Sequence, residues 1–180
     1  VPSGDYNLTH YAYLFDLPAD TEIIVTVSAE DVQNNKAEAD LMIQTLPAVP
    51  DTIVDNLDPG FSILSGNWST GSFGNPYNGS YVFSSTDATT ISKSVIWETE
   101  LPVAGFYEVS TRFTSGGNRS PDARYTLTSD EGEESVFLNQ QSNGDQWIPI
   151  NREAPYIDQQ EASVVLDNRT SQTSSFVVIG

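Results

Sequence analysis

The chain has no cysteine, one histidine and only seven basic residues. Each scarcity removes a class of function. Without thiols there is no disulfide framework, no zinc–thiolate site and no cysteine nucleophile. His10 stands in the N-terminal segment, apart from the bulk of the chain, which argues against a Ser-His-Asp site. No glycine loop has phosphate-binding spacing. No apolar run approaches the roughly 18 residues of a membrane-spanning helix. No charged stretch followed by an apolar one stands at the start, and Val1 in place of a methionine reads as part of a longer chain.

Basic residues are outnumbered by twenty-five acids, giving a formal net charge of −18. A nucleic-acid partner needs a basic groove to neutralise phosphates, and anionic membrane surfaces need the same sign; neither fits. The acidity is spread out, −8 up to Thr52 and −10 beyond. One reading is solubility in a medium whose salt screens self-repulsion. The other is calcium binding by some of the carboxylates.

What is abundant is short β-prone runs separated by turn residues. EIIVTVSA (22–29) alternates with Ile23, Val25 and Val27 on one face. HYAYLFDL (10–17) and EADLMIQT (38–45) flank it. Three strands in so few residues cannot close a sandwich alone. LPAVPDT (46–52) has two prolines and no periodicity, the marks of a semi-rigid linker. From Ile53 the runs IVD, FSI, SYVFSS, TISKSVIWE, GFYEVSTRF, ARYTLTS, ESVFLN, QWIPI, ASVVLD and SFVVI follow, with turns such as DPG, GNPYNG, SDEGE and SNGD between them. A spacing of about ten residues is that of an antiparallel sandwich. No segment sustains a 3.6-residue period. The fold class is therefore all-β, an antiparallel, jelly-roll-like β-sandwich over 53–180, preceded by a partial immunoglobulin-like β-domain over 1–46 and a linker over 47–52.

Two resemblances sharpen this. LPADTEIIVTVSAEDVQNN resembles the last strands of a fibronectin type III domain, though Ile23 stands where that family has its corner tyrosine. DNLDPGFS with GNW (55–68), GNPYNGSYVF, IWETELPVAGFYEV, NRSPDARYTL and NQQSNGDQW occur in an order that resembles the golvesin C-terminal-like domain. That domain is also described as the carbohydrate-binding-like module at the ends of xanthan lyase-type enzymes. The resemblance implies a non-catalytic module of a secreted or cell-surface bacterial protein, with polysaccharide or cell-surface glycan and neighbouring domains of its own chain as partners. It also implies that the last strand, at FVVIG, is incomplete.

Site candidates come from loop chemistry. A sugar's C–H face stacks on an aromatic ring while its hydroxyls take amide or guanidinium partners. Phe73, Tyr77 and Tyr81, in or beside GSFGNPYNGSY, are the loop aromatics. Of the tryptophans, Trp97 lies inside a strand and reads as core; Trp68 and Trp147 have both a core and a platform reading. Asn118, Arg119, Arg124, Asn139, Gln140 and Gln141 suit hydroxyl or uronate recognition, or they scaffold their loops, with Arg119 holding Asp122 or Asp145. The expected ligand-binding set is Tyr77, Tyr81, Asn118, Arg119, Gln140, Gln141 and Trp147. For a cation, Asp55, Asn56 and Asp58 put oxygens close together on one turn; the competing reading is a Pro-Gly turn whose side chains cap backbone N–H groups. SDEGEES (129–135) reads as a hairpin tip with solvated charges. No acid stands in an apolar strand context that would drive two carboxylates to different pKa values, as glycoside hydrolysis needs, and no catalytic residue is assigned. An accessory binding module is the first reading; a structural spacer or adhesion module without a ligand is the second.

Overall fold

The structure is a computed structural model that describes residues 17–45, 48–156, 161–172 and 176–180. It divides into two compact units, Val1–Pro50 and Asp51–Gly180. Except for Leu17, the HYAYLFDL run lies outside the described residues.

In the first unit, β1 (Glu22–Glu30) and β2 (Lys36–Gln44) pair antiparallel from Glu22↔Gln44 to Glu30↔Lys36. Alternation puts Ile23 and Val25 on the better-covered face together with Ile43 of the partner strand. The turn is tied by Asp31, whose carboxylate accepts from the Gln33 N–H, the Asn35 N–H and the Asn35 amide at 2.7–2.9 Å. The Asn35 side-chain and backbone bonds and the Gln33 backbone bond, in that order, hold the Asp31 carboxyl below its ordinary value.

The second unit is an antiparallel β-sandwich. One layer is a five-stranded sheet in the order β3-β6-β11-β8-β9, formed by β3 (Phe61–Ser65), β6 (Ser94–Glu100), β8 (Ala123–Ser129), β9 (Gly132–Leu138) and β11 (Glu161–Asp167). The other layer holds the pair β7 (Gly105–Thr111) and β10 (Ile148–Tyr156), and the three-stranded sheet β12-β5-β4, with β4 at Ser69–Gly71, β5 at Tyr81–Ser85 and β12 at Val177–Ile179. Strict alternation in β8 buries Ala123, Tyr125 and Leu127. These meet Val95 of β6 and Leu166 of β11 from the same layer, and Ile150, Val109 and Val178 from the opposite one. Trp68 and Trp97 pack on this core, so both take their core reading.

Most expected strands are present, with three differences. IVD (53–55) is a loop, and the strand expected over 90–98 begins only at Ser94. Asn168 gives the physical reason for the second: its buried side chain accepts from the N–H of both Ser92 and Lys93 and donates to the Ser85 carbonyl. That clamp replaces ladder bonds before Ser94. The third difference is β4, three residues too short to leave a periodic trace. The hairpin tip at Asp130 and Glu131 is as expected, with Ser129 paired to Gly132.

Tyr125 is fully enclosed, and burial pushes its phenol up to about 12, against small opposing effects of bonds to Thr111 and Gln140. The folded state therefore holds this group neutral while the unfolded chain ionises near pH 10. Its contribution to stability is complete below pH 10 and is lost as pH rises from 10 towards 12. Thermal melts between pH 9 and 12 are expected to show this decline, and Tyr125→Phe is expected to flatten it; an equally steep fall in the variant would refute the assignment.

Candidate functional site

Two loops dock on the segment that follows β7, Arg112–Ser115. The first is the loop between β4 and β5. Gly74, at φ +94°, lies against Thr114 so closely that a Cβ would sit 2.2 Å from its methyl carbon, which only glycine tolerates. Arg112 Nη2 donates to the Asn75 carbonyl at 3.2 Å. Pro76 then leads into a 3-10 turn, Tyr77–Gly79, with Asn78 at φ +53° and Gly79 at φ +88°.

The second is the loop between β9 and β10. Its Asp145 N–H donates to the Phe113 carbonyl at 2.8 Å. A Cβ on Gly144 would lie 2.4 Å from the Ser115 nitrogen, so glycine is required for this approach. Asn143 and Asp145 both adopt positive φ, which asparagine and aspartate accept more readily than most residues. Gln146 closes the loop by donating to the Asn143 carbonyl at 3.2 Å.

The result brings Tyr77 and Trp147 together, seventy positions apart in sequence. Their rings are 5.6 Å apart and tilted by 59°, and the Arg112 guanidinium carbon stands 6.0 Å from the Tyr77 ring centre. Trp147 is 45 % exposed and Tyr77 37 %. Trp147 forms part of the wall of a depression of about 350 Å³ lined also by Phe113, Leu138, Ile148 and Pro149 and by the amide-bearing Asn139, Asn143 and Gln146. An exposed indole above a rim of amides offers one apolar face and several hydrogen-bonding groups side by side, the pairing that sugar recognition needs.

The other expected ligand residues go elsewhere. Tyr81 is 7 % exposed and packs with Phe113 and Ile179. Its position at the start of β5 turns it inward, so it is not a platform. Arg119 is buried, with its guanidinium 5.5 Å from the Tyr81 ring centre. It donates to the Tyr81 hydroxyl at 3.2 Å and to Asn118 Oδ1 at 3.0 Å rather than to Asp122 or Asp145. Asp122 is held instead by Thr170 and Ser171. Burial would raise its pKa, but the bonds from the Ser171 and Thr170 side chains and the Ser171 N–H, with a smaller one from Ser120, outweigh that and lower it.

Gln140 is fully buried, and its amide donates to Tyr125 Oη and the Ile179 carbonyl and accepts from the Ile179 N–H. Gln141 donates to the Arg119 carbonyl at 3.1 Å. Asn118 remains exposed at the same turn, with its oxygen engaged by Arg119. Arg119, Gln140 and Gln141 therefore scaffold their loops, whereas Asn118 keeps an exposed amide nitrogen. Arg112, Asn143 and Gln146 were not among the expected residues. Arg112 falls inside the expected run GFYEVSTRF, but β7 ends at Thr111, so no strand alternation marks it.

Of the three expected cation ligands, Asp58 is a turn cap. Its Oδ2 accepts from the Asp55 N–H at 2.8 Å, and the Asp58 N–H returns to the Asp55 carbonyl at 3.0 Å. Among the described residues, no three His, Asp or Glu side chains gather around one point.

A family model described as the golvesin C-terminal domain matches residues 52–179. The chain belongs to the golvesin C-terminal domain family. A xanthan lyase from Bacillus sp. (strain GL1) is 30 % identical over 104 residues, 58 % of this chain and 11 % of that protein. The solved structure of Paenibacillus xanthan lyase superposes with a TM-score of 0.63 at 23 % identity, covering 81 % of this chain and 14 % of that one. The golvesin domain and the residues before it thus span a small fraction of these relatives. Among the described residues, no helix is long and apolar enough to cross a membrane.

Proposed function

We propose that the golvesin domain is a non-catalytic module that binds polysaccharide at the Tyr77–Trp147 corner, as an accessory part of a secreted or cell-surface bacterial protein. The observation that carries this reading is the exposed, tilted Tyr77–Trp147 pair at the edge of the amide-lined depression. Trp147 offers a stacking face for a sugar ring. Asn139, Asn143 and Gln146 offer donors and acceptors for hydroxyls, and Arg112 supplies positive charge beside Tyr77 in a chain of strongly negative net charge. A relative named xanthan lyase gives the reading a first polysaccharide to try. The segment before Ile53 is read as the end of a fibronectin type III-like domain that joins the module to its neighbours.

The spacer reading differs in requiring no ligand, and the exposed aromatic pair weighs against it. Isothermal titration of the whole chain against xanthan and a panel of neutral and acidic polysaccharides tests the proposal. Binding in the micromolar to low-millimolar range is expected for at least one; no heat with any of them at millimolar sugar would leave the spacer reading standing.

A further inference from the structure

The loop from Ile53 to Phe61 holds a group that polysaccharide binding leaves unused. Asp55 is 8 % exposed, and its Oδ2 is buried with no hydrogen-bond partner. A buried carboxylate oxygen without a donor or a cation is costly. The Asp55 backbone cannot relieve it, since its N–H is already given to Asp58.

The other oxygen of the same carboxylate, Oδ1, faces Asn56. One end of its carboxamide lies 3.0 Å from Asp55 Oδ1 and 3.0 Å from the Ser80 carbonyl oxygen, and the other end lies 3.0 Å from the Ser80 hydroxyl. The amide has two orientations, and the surrounding charge selects between them. With nitrogen inward it donates to both oxygens, which satisfies Oδ1 and leaves Oδ2 bare. With oxygen inward, the Asn56 nitrogen donates to the Ser80 hydroxyl and three acceptors converge: Asp55, Asn56 and the Ser80 carbonyl. Three oxygens at such spacing repel one another unless a cation lies among them. Oxygens about 2.4 Å from a common calcium ion and about 3 Å apart subtend about 80° at the metal, an ordinary angle in a shell of six to eight oxygens.

We propose that the Asp55 carboxylate, binding through both oxygens so that Oδ2 gains its partner, the Asn56 side-chain oxygen and the Ser80 carbonyl form a calcium site, with water completing the shell. Octahedral magnesium would also fit the spacing, but it gives up its water reluctantly, and one carboxylate with two neutral oxygens offers little to replace it. A single carboxylate places the affinity in the weak class of extracellular modules, roughly 10⁻⁴–10⁻³ M. The site joins the start of the module to the loop that carries Tyr77, because Ser80 ends that loop's 3-10 turn.

The whole chain, stripped with chelator, is titrated with calcium or magnesium chloride at matched ionic strength. Calorimetry is expected to give one calcium equivalent, and 10 mM calcium is expected to raise Tm by about 3 °C or more, with magnesium giving less. Asp55→Asn is expected to abolish the calcium-dependent rise while its metal-free Tm holds or increases, since the bare charge is gone. Asp58→Asn is expected to lower Tm through its turn but to keep the calcium response. The proposal is overturned if wild-type chain takes up no calcium at millimolar levels, if magnesium acts equally, or if Asp55→Asn responds like wild type, which would assign the effect to the acidic surface at large. None of these outcomes depends on sugar binding.

Discussion

Replacing Gln140 with alanine is expected to lower the melting temperature of the golvesin domain by about 10–20 °C, the largest effect of any single substitution considered. The reason lies in the last strand. The Gly180 and Val82 backbones exchange hydrogen bonds across the β12–β5 pair. The N–H and C=O of Ile179 therefore point away from β5, towards an edge that is sealed from water. The Gln140 carboxamide fills that edge as a neighbouring strand would, accepting from the Ile179 N–H at 3.0 Å, donating to its carbonyl at 2.5 Å and also to Tyr125 Oη at 2.8 Å.

Alanine leaves the Ile179 N–H bare and its carbonyl with only the long 3.5 Å bond from Tyr125 Oη, and opens a void beside Tyr125. Each bare group costs about 1–3 kcal/mol, and such losses overlap, so a total of about 3–5 kcal/mol is expected. For a unit of this size that corresponds to roughly 3–4 °C per kcal/mol. Gln141→Ala is the contrast. Its side chain is half-buried and gives one bond, to the Arg119 carbonyl, so a loss below about 1.5 kcal/mol is expected. Calorimetric melts of the two variants side by side check the assignment; equal and small effects would refute the edge-filling role of Gln140.

Trp147→Ala is expected to do the reverse, removing affinity and sparing the fold. Stacking a sugar ring on the exposed indole buries apolar surface worth about 1.5–3 kcal/mol, so affinity for the best polysaccharide is expected to fall about 10–150-fold. The Tm is expected to move by only a few degrees. Trp147 belongs to none of the buried clusters, and the substitution loses mainly its ring contact with Tyr77. Titration of the variant against the polysaccharide that binds wild type decides the matter. Unchanged affinity would place the ligand elsewhere on the module.

The same loop thus holds a buried glutamine and an exposed tryptophan, seven positions apart, and no local pattern distinguishes them. Both stand in NQQSNGDQW, a polar turn whose composition announces a loop and nothing about direction. Gln140 enters the core because the preceding strand β9 ends at Leu138 and the chain immediately bonds back to Ser120 through the Gln140 backbone N–H. Trp147 stays outside because Asn143 and Asp145, at positive φ, and the close approach of Gly144 to Ser115 hold the loop tip against Phe113. Tyr81 and Tyr77 divide in the same way. Tyr81 lies in β5, where Val82 is buried as well, and packs on Phe113 and Ile179, whereas Tyr77 sits in a 3-10 turn outside the sheet.

By itself the sequence determined the β-architecture, since period-2 alternation and turn residues are local properties that need no partner to be read. It also determined the family, through motifs ordered along 55–147, and the classes of chemistry that missing thiols and scarce bases exclude. Only the tertiary structure decided which polar side chains are spent on the fold and which are presented. That choice depends on where the buried backbone of Ile179 and the partly buried N–H groups of Ser92 and Lys93 lack strand partners and take Gln140 and Asn168 instead. It also depends on loops far apart in sequence meeting on Arg112–Ser115. Hydrogen-bond satisfaction in a buried interior is a global constraint, and no local pattern of residues records it.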